Sequence, residues 1–161
     1  MSVPLYVVRH AHAGSRGDWV APDGDRPLSG KGRRRADEIA RALAEVGITE
    51  IWSSPLARCV QTMEPLAALL GIQVGRSDAL AEGAALAAGV ELVERLATAG
   101  TGAALCSHGD VIPDLLAALA RRGTRLDPDG ACPKGSIWIL RTHDGVVTEA
   151  VYAGTGGLPA G

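Results

Sequence analysis

The chain has 161 residues, 47% of them hydrophobic, with 16 lysines and arginines against 18 aspartates and glutamates. That length suits one domain with one sizeable core, and charge so evenly spread, with no long basic run, leaves nucleic acid no obvious footprint. Phenylalanine is absent and aromatics make up 3%, so the core has to be built from Ala, Leu, Val and Ile.

In chain order, residues 1–12 lack a basic segment followed by a long apolar one. No secretory leader is therefore expected, and the cytoplasm is the expected location. Leu5 to Val8 is apolar and rich in β-branched residues, which predicts a buried strand. Residues 11–27 mix glycine, proline and charge and predict a loop. Ser29 offers an N-cap, and Ala36, Ile39, Ala40 and Leu43 recur at helical spacing. They predict a helix from Gly30 or Lys31 to Val46, ended by Gly47. Arg33, Arg34 and Arg35 lie inside it, point in different directions and are expected mainly to form a solvated face.

Glu50 to Ser53 predicts a second strand. Ser54-Pro55 reads as a helix start, and Pro65 as a kink or restart, because an interior proline costs about 3 kcal/mol. Gly71 closes that segment, and Ile72 to Val74 is a third strand candidate. A loop with Glu82 follows, then a helix from about Val90 to Ala99. Glu82, Glu91, Glu94 and Arg95 interrupt the apolar stretch from Leu80 to Leu105, so no membrane span is expected. Ala103 to Cys106 predicts a fourth strand. Asp110 is a candidate cap for the next helix, Pro113 falls in its first turn, and Gly123 ends it. Ser136 to Arg141 and Val146 to Tyr152 predict two strands joined at Asp144-Gly145. The chain reads as a single three-layer α/β domain over residues 1–154: a mostly parallel sheet with helices on both faces and an antiparallel edge strand. Residues 155–161 are expected to form a flexible tail.

The three cysteines, Cys59, Cys106 and Cys132, are far apart and lack zinc-ligand spacing. Cys59 and Cys106 are expected to be buried small hydrophobes. The chemistry gathers elsewhere. The first strand ends at Arg9-His10 and the fourth at Ser107-His108-Gly109. Ligands of open α/β sheets bind outside the carboxyl ends of the strands. The helix after the second strand adds Arg58 near its start. Two histidines, two arginines and helix N-termini on one edge suit a dianion such as phosphate. Imidazole can attack phosphorus, and neighbouring arginines keep it neutral and stabilise the charge that spreads over the phosphoryl oxygens. Fixed cations can do what Mg²⁺ does at other sites, so no metal or other cofactor is expected. His12 and His143 read as ordinary polar surface residues.

The run Leu5-Tyr-Val-Val-Arg-His10 resembles the signature strand of the histidine phosphatase, or phosphoglycerate-mutase-like, superfamily. The segment from Ser53 through Ser-Pro-Leu-Ala-Arg58 to Thr62 resembles its second motif, and Cys106-Ser-His108-Gly109 its third. Arg26-Pro-Leu-Ser-Gly30 with Gly32, and Lys134-Gly-Ser-Ile-Trp-Ile-Leu140, are similar to further family stretches. The resemblance implies His10 as nucleophile and Arg9, Arg58, His108 and Gly109 as the phosphate pocket. It also implies a leaving-group acid. Many relatives take a glutamate after the third strand, which is Glu82 here. The small bacterial phosphohistidine phosphatases, the branch most similar in length, point instead to Asp23 or Asp25 in the first loop. The family usually has glycine after the nucleophile, where this chain has Ala11.

The implied activity is hydrolysis of phosphohistidine in a protein or of a small phosphorylated metabolite. A phosphoglycerate-type mutase and a phosphate-binding module without turnover are the alternatives. The late motifs also resemble a phosphatase-like domain that some bacteria fuse behind a Nudix hydrolase. The sequence carries no signal for oligomeric state.

Overall fold

Strand β1, Leu5–Arg9, divides the core in two. Its residues alternate between faces, as strand geometry requires. Leu5 and Val7 enter one apolar cluster, while Tyr6 and Val8 enter another. A strand buried on both faces reads as an unbroken apolar run, and Leu5, Val7 and Val8 are at most 1% exposed. These relations come from a computed structural model that describes residues 3–158.

The elements follow in the order β1, α1 (Gly30–Leu43), β2 (Glu50–Ser53), α2 (Ala57–Leu70), β3 (Val74–Arg76), α3 (Leu86–Ala99), β4 (Ala103–Ser107), α4 (Ile112–Arg121), β5 (Arg125–Leu126), β6 (Ile137–His143) and β7 (Val146–Gly154). They build one seven-stranded sheet in the order β3-β2-β4-β1-β6-β7-β5. The pairs β1/β4, β2/β4, β2/β3 and β5/β7 are parallel, whereas β6 runs antiparallel to both β1 and β7. The hairpin β6–β7 turns at Asp144-Gly145, both with positive φ (49° and 78°), as a two-residue hairpin turn demands. Residues of α1 and α2 pack on the Tyr6/Val8 face, and residues of α3 and α4 on the Leu5/Val7 face. The fold is thus the expected three-layer α/β arrangement with a mostly parallel sheet, its antiparallel member β6 lying between β1 and β7 towards one side.

Several local expectations shift. The first loop contains two short 3₁₀ turns, Arg16–Asp18 and Asp23–Asp25. Ser29 caps α1 by accepting from Gly32 N, but α1 stops at Leu43, short of Val46. Helix α2 begins at Ala57 rather than at Ser54-Pro55, and Leu56 at its cap position makes no side-chain capping bond. It also runs unbroken through Pro65. The bond lost at the proline is outweighed by one buried face holding Val60, Met63, Leu66 and Ala67, each larger apolar side chain contributing about 1.5–3 kcal/mol. The third strand lies two residues later than expected, and β5 had no sequence signal. Helix α3 starts at Leu86, and α4 starts at Ile112 without a bond from Asp110.

Among the described residues no helix is long and apolar enough to cross a membrane. The expected tail falls partly on residues 159–161, outside the described residues. Just before them, Leu158 packs against the Tyr6/Val8 side of the core.

Candidate active site

The connections leaving β1 and β4 go to opposite faces of the sheet, α1 to one and α4 to the other. Adjacent parallel strands whose connections diverge in this way open a crevice at their carboxyl ends. The register pairs Arg9 with Ser107, and His10 N donates to Ser107 O at 3.0 Å. On the other side of β4, Ser54 N donates to Cys106 O at 2.9 Å. The ends of β1, β4 and β2 are thereby drawn level. The residues predicted from separate motifs meet there, with His10 and His108 ring centroids 5.4 Å apart.

The two imidazoles are oriented from behind. His10 Nδ1 lies 2.8 Å from Ala11 O. A carbonyl only accepts, so Nδ1 carries the ring proton and Nε2 keeps its lone pair. Burial, with His108, Arg58 and Arg9 nearby, pushes the His10 pKa down to about 3, against the opposing pull of the Ala11 carbonyl. His10 is therefore neutral near pH 7. His108 turns Nε2 inward, 2.8 Å from Ser54 Oγ and 3.5 Å from the buried Cys59 Sγ. That leaves Nδ1 for the cleft.

Arg58 is 1% exposed. Its Nη2 stands 2.9 Å from Glu82 Oε2 and 3.2 Å from Asp23 Oδ2, while Nη1 donates to Asp23 O at 3.1 Å. Two of the three candidate acids thus share one guanidinium nitrogen. Asp25 is exposed and makes no ion pair with any described residue. Glu82 also meets Arg16 Nη2 at 2.8 Å. This hydrogen bond, with the charges of Arg16 and Arg58, holds the Glu82 carboxyl below its usual range. Burial pushes Asp23 up, but Arg26, Arg58 and Arg16 together bring it down. Asp110, expected as a cap, instead accepts from Gly83 N at 3.2 Å and ties down the loop that carries Glu82.

Arg9 donates Nη1 to Cys132 O at 2.7 Å. Its guanidinium lies flat against Gly109, where an added Cβ would sit 2.6 Å from Arg9 Cζ. Only glycine permits that approach without displacing the arginine. Gly109→Ala is expected to push Arg9 aside and lower kcat/KM for a phosphate ester by roughly tenfold, with the fold retained, since small misplacements at such sites are costly. Unchanged kinetics would mean that the placement of Arg9 is immaterial.

The cleft between these groups measures about 560 Å³. Arg9, Arg16, Arg26, Arg58 and Lys134 line it, against the carboxylates of Glu82 and Asp110. Such a surplus of fixed cations suits a dianion. Sequence reasoning missed Arg16, Lys134 and the site role of Ser54. Ser54 and Lys134 lie inside the quoted motifs, whereas Arg16 had no signal. Arg33 and Arg34 are exposed as expected, but Arg35 reaches Gly135 O with Nε at 2.9 Å. His12 is half-buried on Ser29 Oγ, and His143 is exposed. Among the described residues no group of three or more His, Cys, Asp or Glu side chains could hold a metal ion.

The departure at Ala11 is accommodated. Its methyl is buried with Ala13, Leu28 and Ala36, its φ is not positive, and it does not line the cleft.

The chain is similar to known proteins in sequence and in fold. The 8-oxo-(d)GTP phosphatase of Mycolicibacterium smegmatis (strain ATCC 700084 / mc(2)155) is 33% identical over 152 residues, which cover 92% of this chain and 47% of that protein. The chain thus spans about half the length of this relative. In fold it is similar to the protein histidine phosphatase SixA complexed with tungstate, with a TM-score of 0.74 and 19% identity over 92% of this chain and 93% of the other. It is similar also to the mycobacterial glucosyl-3-phosphoglycerate phosphatase with VO3, with a TM-score of 0.73 and 20% identity over 94% and 97% of the two chains. Residues 5–88, more than half of the chain, match the histidine phosphatase superfamily (branch 1), and the chain belongs to that superfamily.

Proposed function

We propose that this chain is a metal-independent phosphatase that hydrolyses phosphohistidine or a small phosphate monoester through a phosphohistidine on His10. One observation carries the reading: His10 is locked as a neutral imidazole, its Nδ1 proton committed to Ala11 O, at the floor of a cleft rich in cations. In the first step His10 Nε2 forms a bond to phosphorus as the bond to the leaving group breaks. The leaving atom takes a proton from a carboxylic acid. In the second step water attacks the phosphorus, gives a proton to the resulting carboxylate and releases inorganic phosphate, which frees Nε2. Arg9, Arg58 and His108 hold the equatorial oxygens throughout, as charge-spreading transition states require.

Glu82 is the proposed acid. Arg16 and Arg58 favour its ionised form. A phosphoryl dianion that engages Arg58 brings negative charge beside Glu82 and raises its pKa, so the proton becomes available where it is needed. The exposed rim at Gly14, Ser15 and Arg16 admits water, which favours hydrolysis over transfer to a second substrate.

Turnover of p-nitrophenyl phosphate in excess EDTA tests the reading. Activity is expected to persist, and Glu82→Gln to cut hydrolysis of esters with poor leaving groups by about 10²–10³-fold. Asp23→Asn is expected to cost less. Activity lost in EDTA and restored by Mg²⁺ would overturn the metal-free mechanism, and the reverse order of the two carboxyl variants would move the acid to Asp23.

A further inference from the structure

The cations of the cleft are unequally committed. Arg58 and Arg16 share Glu82 and Asp23, Arg26 pairs with Asp23, and Arg9 donates to Cys132 O. Lys134 also lines the cleft, yet it forms no ion pair or side-chain hydrogen bond with any described residue. Burial and the nearby charges of Arg9, Arg26, Arg58 and Lys31 all push its pKa down. Solvent satisfies this exposed ammonium in part, and an anion arriving among the like charges would be attracted to it.

The Lys134 side chain is exposed at the mouth of the cleft, but the backbone beneath it is tied down. Its neighbour Gly135 donates N–H to the carbonyls of both Arg9 and His10, each at 3.1 Å, and Ser136 O accepts from Arg9 N at 3.0 Å. From the other side Arg35 Nε on α1 holds Gly135 O at 2.9 Å. Gly135 has φ +77°, and an added Cβ would lie 2.7 Å from Arg35 Cγ. The backbone that carries Lys134 is therefore fixed to the peptide of the proposed nucleophile. A cation carried on backbone held in register with the nucleophile selects by what lies one group away from the reacting phosphate.

We propose that Lys134 is a specificity residue that receives a second anionic group on the substrate, a carboxylate or a further phosphate. The favoured substrates are then small phosphorylated acids or diphosphates, in preference to singly charged esters. This rests on the phosphatase reading for its consequence in catalysis, but binding tests it without turnover.

Calorimetry with inorganic phosphate, 2-phosphoglycolate and pyrophosphate supplies the measurement. In the His10→Ala background, which cannot turn the ligands over, the chain with Lys134 is expected to bind at least one of the two larger ligands about tenfold more tightly than phosphate. Lys134→Gln is expected to erase that gap, and Lys134→Arg to keep it. Which ligand shows the gap distinguishes carboxylate from phosphate. No gap for either ligand, or a gap that survives Lys134→Gln, overturns the assignment. If p-nitrophenyl phosphate is not hydrolysed by the unaltered chain while the gap is present, the phosphatase reading fails and the Lys134 assignment stands.

Discussion

His10→Ala is expected to abolish turnover and the phosphoryl label together. After brief incubation with substrate, the unaltered chain is expected to carry one phosphate on nitrogen, labile in acid and stable in alkali. Removing the attacking atom costs on the order of 10⁴-fold or more, because what remains is binding and charge stabilisation alone. His108→Ala is expected to slow turnover while still permitting slow labelling, since it removes stabilisation and leaves the nucleophile. A label that is stable in acid, or that persists in His10→Ala, would exclude the phosphohistidine route. The same substitution has a signature in stability. The folded pKa of His10, about 3, lies below its ordinary 6.5. The unfolded chain therefore binds a proton that the folded chain refuses, and stability falls as pH drops from about 6.5 towards 3. Thermal midpoints between pH 4 and 7 are expected to fall less steeply in His10→Ala.

Arg58→Ala is the second large effect, a loss of about 10³-fold in kcat/KM with the fold intact by circular dichroism. The guanidinium is buried and two-pronged, so it can offer a phosphoryl group paired donors at fixed spacing. Lysine supplies a point charge without the fork, and Arg58→Lys is expected to recover only part of the loss. The alanine variant also leaves Glu82 and Asp23 with Arg16 alone of the two arginines they share, so the pH dependence is expected to change along with the rate. Near-normal turnover in Arg58→Ala would remove Arg58 from the pocket.

The sequence foretold the ends of β1 and β4 well, because apolar runs with polar termini are local signals. The choice of acid was not legible. Glu82 and Asp23 come from loops about sixty residues apart, and only the folded chain shows both on one nitrogen of Arg58. The instructive cases are Ser54 and Asp110. Each stands just ahead of a helix and carries the right group for a cap. Ser54 Oγ accepts from Leu56 N at 3.3 Å ahead of α2 and also meets His108, whereas Asp110 turns to the loop of Glu82. A polar side chain at a strand end can serve the helix, the site or both, and the local sequence is the same for each. Pro65 shows the converse: tertiary burial overrode a strong local breaker.

The pairing of Arg58 with two carboxylates has a consequence for proton balance. An oxyanion entering the cleft takes over a cation that Glu82 and Asp23 had been using, and both carboxyls become easier to protonate. Ligand and proton uptake are then linked, each promoting the other. For an anion that does not itself titrate in the working range, such as sulfate, affinity rises as the medium is acidified, and the binding heat depends on the ionisation enthalpy of the buffer. The cleft is thus expected to behave as an exchanger: its own carboxylates offset part of its positive charge, and an anion that displaces them is expected to bring in a proton.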